Sequence, residues 1–122
     1  MKYLCLIYSD HRIIEAMPAH EMDALKGEYF TLIDELEEAG HYLAGESLQP
    51  VRMATTLRLR NGKLSTTDGP FAETKEQLGG FFLIEARDLN EAIRLASRIP
   101  AVRWGSVEVR PINEIGRTGT PA

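Results

Sequence analysis

The stretch Thr67-Asp68-Gly69-Pro70-Phe71-Ala72-Glu73-Thr74-Lys75-Glu76-Gln77-Leu78-Gly79-Gly80 joins two strand-like runs and holds the densest group of ionisable side chains in the chain. Gly69 can adopt backbone angles closed to other residues, and Pro70 keeps the residue before it out of the helical region. Such a turn would aim the Asp68 carboxylate in one direction. A simpler interpretation is that Asp68 only caps its own turn. At the far end, Gly79-Gly80 allows a ligand or another backbone to approach closely.

Hydrophobic periodicity on both sides of this stretch predicts two β-α-β units with a hairpin between them. The first unit has a strand at 2–8, a helix at 18–39 ended by Gly40, and a strand at 41–44. The hairpin consists of strands 55–60 and 63–66 joined by a type I′ turn at Asn61-Gly62, and one irregular helical turn follows within 73–78. The second unit has a strand at 80–85, a helix begun by Asp88 and stopped by Pro100, and a strand at 106–110. The segment from Ser9 to Pro18 is predicted to be a polar connection.

Two apolar stripes show which sides of the predicted helices face inward. The first comprises Met22, Leu25, Tyr29, Leu32, Ile33 and Leu36, and the second comprises Leu89, Ala92, Ile93 and Ala96. This element order predicts an α+β fold, the ferredoxin-like split βαβ arrangement, with an antiparallel sheet and two helices on one face. The other face of the sheet would then be bare and apolar, and we therefore expect a homodimer that packs sheet against sheet.

Length and composition predict one soluble domain, which we place at 1–112, with a flexible tail or exchanged arm at 113–122. The net charge of −4 argues against direct binding to nucleic acid. No apolar run is long enough to span a membrane, so we expect no membrane partner and a cytoplasmic location. Cys5 is the only cysteine and is predicted to be a buried small hydrophobe. The three histidines show no metal-ligand spacing and no cofactor motif is present, so we predict no metal site and no cofactor.

The residues Asp68-Gly-Pro-Phe-Ala-Glu-Thr-Lys-Glu-Gln-Leu-Gly-Gly-Phe-Phe resemble the DGPF motif of the YCII-related (DGPF-domain) family of small bacterial proteins. The resemblance runs from the first strand, through Gly45-Glu46-Ser47-Leu48-Gln49-Pro50, to the last strand. It implies a dimeric α+β barrel with a pocket, and relatives often encoded near or fused to sigma factors, with reactions that are mostly unassigned. It also draws attention to His20, in Pro18-Ala19-His20, because some relatives have a histidine there that has been proposed as part of a His–Asp pair. The alternative is a solvated histidine at the start of a helix.

We expect a ligand pocket between the sheet, the first long helix and the Asp68 loop. Its predicted catalytic residues are Asp68, Lys75 and Glu76, and its predicted ligand-binding residues are Tyr8, Glu46, Phe71 and His20. A carboxylate can act as a base while a lysine or tyrosine stabilises an enolate-like oxyanion, so this set suits a cofactor-independent acid–base enzyme acting on a small metabolite. Two alternatives stay open: a non-catalytic ligand-binding or accessory protein, linked to sigma-factor regulation, and a structural dimer with a salt-bridged loop.

Overall fold

A computed structural model of the protein describes residues 1–115. Its elements are β1 (Lys2–Ser9), α1 (His11–Glu15), α2 (Ala19–Glu38), β2 (Tyr42–Ser47), β3 (Thr55–Arg60), β4 (Lys63–Asp68), β5 (Gln77–Glu85), α3 (Leu89–Ala96) and β6 (Ser106–Pro111), with single 3-10 turns at Val51–Met53 and Pro100–Arg103. The predicted tail at 113–122 falls mostly outside the described residues.

Four antiparallel strands form the main sheet in the order β2-β5-β1-β6. This is the ferredoxin-like order, so the predicted fold class is confirmed. Strands β3 and β4 form a separate two-stranded sheet. Their turn has positive φ angles at both Asn61 (52°) and Gly62 (75°), which confirms the predicted type I′ hairpin.

The core lies between one face of the main sheet and the helices. Tyr3, Cys5 and Ile7 of β1 are buried and alternate with half-buried residues, as a strand covered mainly on one side should. Leu32 and Leu36 of α2 complete this core from the helical side. Burial raises the pKa of the Cys5 thiol to about 11, so this cysteine behaves as the small hydrophobe that the sequence predicts.

The opposite side of the sheet, which we call the open face, has its own apolar set. Leu4 and Leu6 of β1 lie directly across from Leu83 and Phe81 of β5, and all four are half-buried. Tyr8 continues the row, and its hydroxyl lies 3.5 Å from Oε1 of Glu108. No helix lies over this face among the elements that the structure describes, because the buried side chains of α2 and α3 belong to the core on the other side.

Local signals at helix ends act as predicted. Gly40 has φ 80°, and the backbone N–H of His41 reaches back to the Leu36 carbonyl at 2.8 Å, which ends α2. At the start of α3, Asp88 accepts a hydrogen bond from the Glu91 N–H while the Glu91 carboxylate accepts one from the Arg87 N–H. This reciprocal pair is close to a capping box.

Three local predictions were wrong. Residues 73–78 contain no helical turn, because β5 already begins at Gln77 to pair with Ser9. Residues 9–18 are not a plain connection, because Asp10 caps the short helix α1. In α3 the buried apolar residues include Leu95, whereas Leu89 and Ile93 are about half exposed (48% and 50%).

Candidate functional site

A cavity of about 540 Å³ lies between the sheet and the helices α1 and α2, and we call it the helix–sheet cavity. Met22, Leu25, Tyr29 and Ile33 line it from α2. These four residues belong to the predicted inward stripe, but they are only partly buried, whereas Leu32 and Leu36 of the same stripe pack fully into the core. The first part of α2 therefore covers a hollow, and its second part covers a filled core.

Aromatic side chains form the floor of the helix–sheet cavity. Phe82 of β5 makes edge-to-face contacts with Tyr29 (ring centroids 6.2 Å apart) and Tyr42 (5.4 Å). A Cβ atom at Gly45 would lie only 2.4 Å from the Tyr42 hydroxyl, so a glycine leaves room for this ring. Burial raises the pKa of both tyrosines further above neutral pH, and their protonated hydroxyls can donate hydrogen bonds.

The end of β1 supplies the polar wall of the cavity. Ser9, His11 and Glu15 line it there. Asp10, between them, is turned instead to cap α1: its carboxylate accepts from the Arg12 N–H at 2.9 Å and pairs with the Arg12 guanidinium at 2.8 Å. These hydrogen bonds lower the pKa of Asp10 to about 2. Because the folded-state pKa is depressed, this contribution to stability is present at neutral pH and is lost as the pH falls through that value.

Trp104 closes another part of the cavity wall, beside Ala101. The Arg103 guanidinium lies 5.1 Å from the centre of the Trp104 ring, and Arg103 is itself held by Glu28 of α2 through an ion pair of 2.6 Å. The buried indole N–H of Trp104 has no hydrogen-bond partner within residues 1–115. The wall thus contains one hydrogen-bond donor that the described protein atoms leave unsatisfied.

Asp68 lines a second, more open space that we call the Asp68 cleft, together with Arg52, Glu73 and Gln77 among others. Gly69 has φ 104°, a conformation that favours glycine, so the special turn predicted at Asp-Gly-Pro is present. Two hydrogen bonds hold it: the Gly69 N–H donates to the Ala54 carbonyl at 2.7 Å, and the Thr56 hydroxyl donates to the Gly69 carbonyl at 2.8 Å.

Two contacts join the cleft to the helix–sheet cavity. Arg52, which lines the cleft, pairs at 3.0 Å with Glu15, which lines the cavity. Gln77, which lines the cleft, accepts a hydrogen bond of 3.4 Å from the backbone N–H of His11, which lines the cavity. The two spaces therefore share a wall made of α1 and the residues around it.

The other predicted catalytic residues lie beside this wall. Glu76 accepts a hydrogen bond of 2.6 Å from the Ser106 hydroxyl at the start of β6. Lys75 is exposed, and its charge is close enough to lower the pKa of Asp10, although Arg12 has a larger effect on it.

The predicted ligand-binding residues are distributed over different surfaces. Glu46 lines the helix–sheet cavity, but it lies across from Phe81, so strand alternation turns its side chain toward the open face. Tyr8 belongs to the open face, and Phe71 is 79% exposed. His20 is exposed at the second residue of α2. The structure therefore does not gather the predicted set into one pocket, and whether any of these residues binds a ligand stays a prediction.

Sequence reasoning missed Ser9, His11, Lys26 and Trp104 as residues of the cavity wall. A signal for the first two was available, since polar residues that directly follow a buried strand often lie at a pocket mouth. Within the described residues, no three His, Cys, Asp or Glu side chains are grouped as a metal site would require. A search of the same residues finds no helix that is both long and apolar enough to cross a membrane.

Comparison with known sequences identifies the family. The sequence model of the YCII-related domain matches residues 1–116, nearly the whole chain. The chain belongs to the YCII-related family. An uncharacterized protein from Rhizobium meliloti (strain 1021) is 37% identical to it over 114 residues, which cover 92% of each chain. The YCII-related assignment made from the DGPF motif is therefore confirmed, and the relative adds no activity.

Proposed function

We propose that this YCII-related protein binds a small organic molecule in the helix–sheet cavity. The observation that supports the proposal is the cavity itself, with a volume of about 540 Å³ and walls that are mostly apolar and aromatic. Ligand pockets of soluble proteins have volumes of roughly 300–1,000 Å³ and combine such walls with a few polar groups. Here the polar groups include Ser9, His11 and the two tyrosine hydroxyls.

A cavity-filling substitution tests this proposal. Met22→Trp should fill the cavity from α2, whereas Met53→Trp places the same side chain at a residue that is 66% exposed and does not line the cavity. A fragment library would be screened by thermal shift against the wild type and both variants. A fragment at about 100 times its dissociation constant stabilises the folded state by roughly 2.7 kcal/mol, which is several degrees of melting temperature.

We expect fragments that stabilise the wild type and Met53→Trp but not Met22→Trp. Stabilisation of all three proteins by the same fragments would place binding outside the cavity and contradict the proposal. A screen without any stabilising fragment would also count against it.

A second candidate is acid–base catalysis on a small metabolite, with Asp68 as the base. The favouring observation is the shared wall: the Asp68 cleft adjoins the cavity through the Arg52–Glu15 ion pair and the hydrogen bond between His11 and Gln77. A ligand long enough to reach from the cavity past α1 into the cleft would contact Asp68. Non-catalytic binding, including the accessory role toward a sigma factor that the family resemblance suggests, requires the cavity but not Asp68.

The open face supports the proposal of a homodimer. Leu4, Leu6, Phe81 and Leu83 present a continuous apolar row there, and a specific interface of standard size buries about 1,600 Å² in total. A twofold axis would pair this row with its own copy.

Sedimentation equilibrium at micromolar concentration is expected to give twice the chain mass of 13.7 kDa. Leu6→Glu, in the middle of the open face, should give a monomer because a charge would be buried at the interface. Leu89→Glu, at a half-exposed residue of α3, is the control and should remain a dimer. A monomeric wild type would rule out this interface.

A further inference from the structure

We infer that the ligand of the helix–sheet cavity is a small organic acid: an apolar, aromatic body that carries one anionic group. This inference rests on the proposed function and specifies its ligand class. It is based on the charged side chains and on the aromatic side chains that line the cavity.

The cavity wall includes a cation, Lys26, that no carboxylate of the described residues pairs with. Four wall residues other than the tyrosines have ionisable side chains, and they are His11, Glu15, Lys26 and Glu46. Glu15 is neutralised by Arg52 at 3.0 Å, and the alternation of β2 directs Glu46 away from the helical side. Lys26 has no carboxylate within 4 Å in the part of the chain that the structure describes, and the same holds for the His11 ring.

The same wall contains a buried hydroxyl. Ser9 is only 8% exposed, and its residue lines the cavity at the end of β1. An anion can accept hydrogen bonds from a hydroxyl, an imidazole N–H and an ammonium group at the same time. The polar part of this wall therefore offers hydrogen-bond donors and one ammonium group. Of its acidic groups, Glu15 is paired, and Glu46 points toward the open face but adds to the rise that burial causes in the pKa of Tyr42.

The rest of the wall selects the body of the ligand. Five of the nine aromatic side chains of the chain line this one cavity: Tyr29, Phe30, Tyr42, Phe82 and Trp104. Rings stack on or meet the edges of other rings at favourable distances, so such a wall favours a ligand with a flat aromatic body. A volume of about 540 Å³ is sufficient for a ring with a short side chain.

Phenylacetate and phenylacetamide test the inference directly, because they have nearly the same shape and differ in charge. Their dissociation constants would be measured by NMR titration with the wild type, Lys26→Gln and Lys63→Gln. Lys63 lies on the β3–β4 hairpin, outside the cavity wall, and provides the matched control. Lys26 and Lys63 are both exposed, so neither variant should disturb folding.

We expect the wild type and Lys63→Gln to bind phenylacetate about five- to tenfold more tightly than phenylacetamide. Lys26→Gln should lose most of this preference while its affinity for the amide stays unchanged. Met22→Trp should bind neither compound, which would locate binding in the cavity.

Equal affinity of the wild type for acid and amide would overturn the inference and leave the proposed function intact. The inference would also be overturned, with the proposed function intact, if neither compound binds while neutral fragments still stabilise the wild type through the cavity. An acid preference that survives in a Lys26→Gln, His11→Gln double variant would overturn the assignment to these two residues. If no compound of any class binds in the cavity, the proposed function itself fails.

Discussion

Replacing Gly105 by alanine is expected to lower the free energy of unfolding by roughly 3 kcal/mol, the upper part of the range for overpacked interiors. A Cβ atom at this position would lie 2.1 Å from the Tyr8 carbonyl oxygen and 3.1 Å from the Ser9 Cα. Both are backbone atoms of β1, so no side-chain rotation can relieve the clash. Urea denaturation of the wild type and the variant would measure the difference.

Gly27→Ala is the matched control. Gly27 lies within α2, and a Cβ there would meet no atom within 4 Å in the described part of the chain. Because alanine favours a helix over glycine, this variant is expected to gain up to about 1 kcal/mol. If the Gly105→Ala variant is as stable as the wild type, Gly105 does not lie against the end of β1, and this contact does not position Ser9.

The second large effect is expected at Asp68, if the protein is an acid–base enzyme. Asp68→Asn should lower turnover of the substrate by roughly 10²–10⁴-fold, the usual cost of losing a general base. Stability should stay close to that of the wild type, because Asp68 is exposed and asparagine occupies turns nearly as well as aspartate. The rate would be measured on any cavity ligand that is converted, together with the melting temperature of each variant.

Asp34→Asn, on the exposed side of α2, controls for the loss of a surface charge and should change neither rate nor melting temperature. A lower melting temperature for Asp68→Asn with unchanged turnover would assign Asp68 to the scaffold. Binding without turnover in every variant would leave ligand binding as the function and remove the enzymatic candidate.

Most of the fold could be predicted because its signals are local. Asn61-Gly62 requires two positive φ angles, which two-residue hairpins provide, and Gly40 provides the left-handed residue that ends a helix. The order of strands and helices then leaves few topologies, since βαβ units pack their helices on one side of the sheet.

A pocket between the sheet and the first long helix was expected, but its lining could not be predicted, because a hydrophobic stripe shows which side of a helix faces inward and not where the space inside stays unfilled. Met22 and Leu36 belong to the same stripe, yet one lines a hollow and the other is 1% exposed in the core. The predicted pocket residues lie on different surfaces for a related reason. The first strand is apolar at nearly every position, so its sequence did not show that Tyr8 lies on the side opposite the helices.

The helical turn expected at 73–78 shows how tertiary pairing overrides local preference. Gln77 and Leu78 pair with Ser9 and Tyr8, and this pairing extends β5 into the segment whose sequence favours a helix. Gly79 is the extra residue of the resulting bulge, and Gly80 lies so close to β2 that a Cβ would come within 2.7 Å of the Glu46 carbonyl oxygen. The glycine pair therefore serves a close backbone approach, one of the two roles that its sequence suggests.

Binding of a small molecule between α2 and the sheet is the central claim, and NMR spectroscopy of the isotope-labelled protein tests it most directly. The fragment that stabilises the wild type most would be titrated while backbone and methyl signals are followed. We predict saturable shifts that are largest at Ser9, His11, Met22, Leu25 and Ile33 and small on the β3–β4 hairpin. Saturable shifts confined to the hairpin or to Leu4 and Leu6 of the open face, with the signals of Met22, Leu25 and Ile33 unchanged, would contradict the claim.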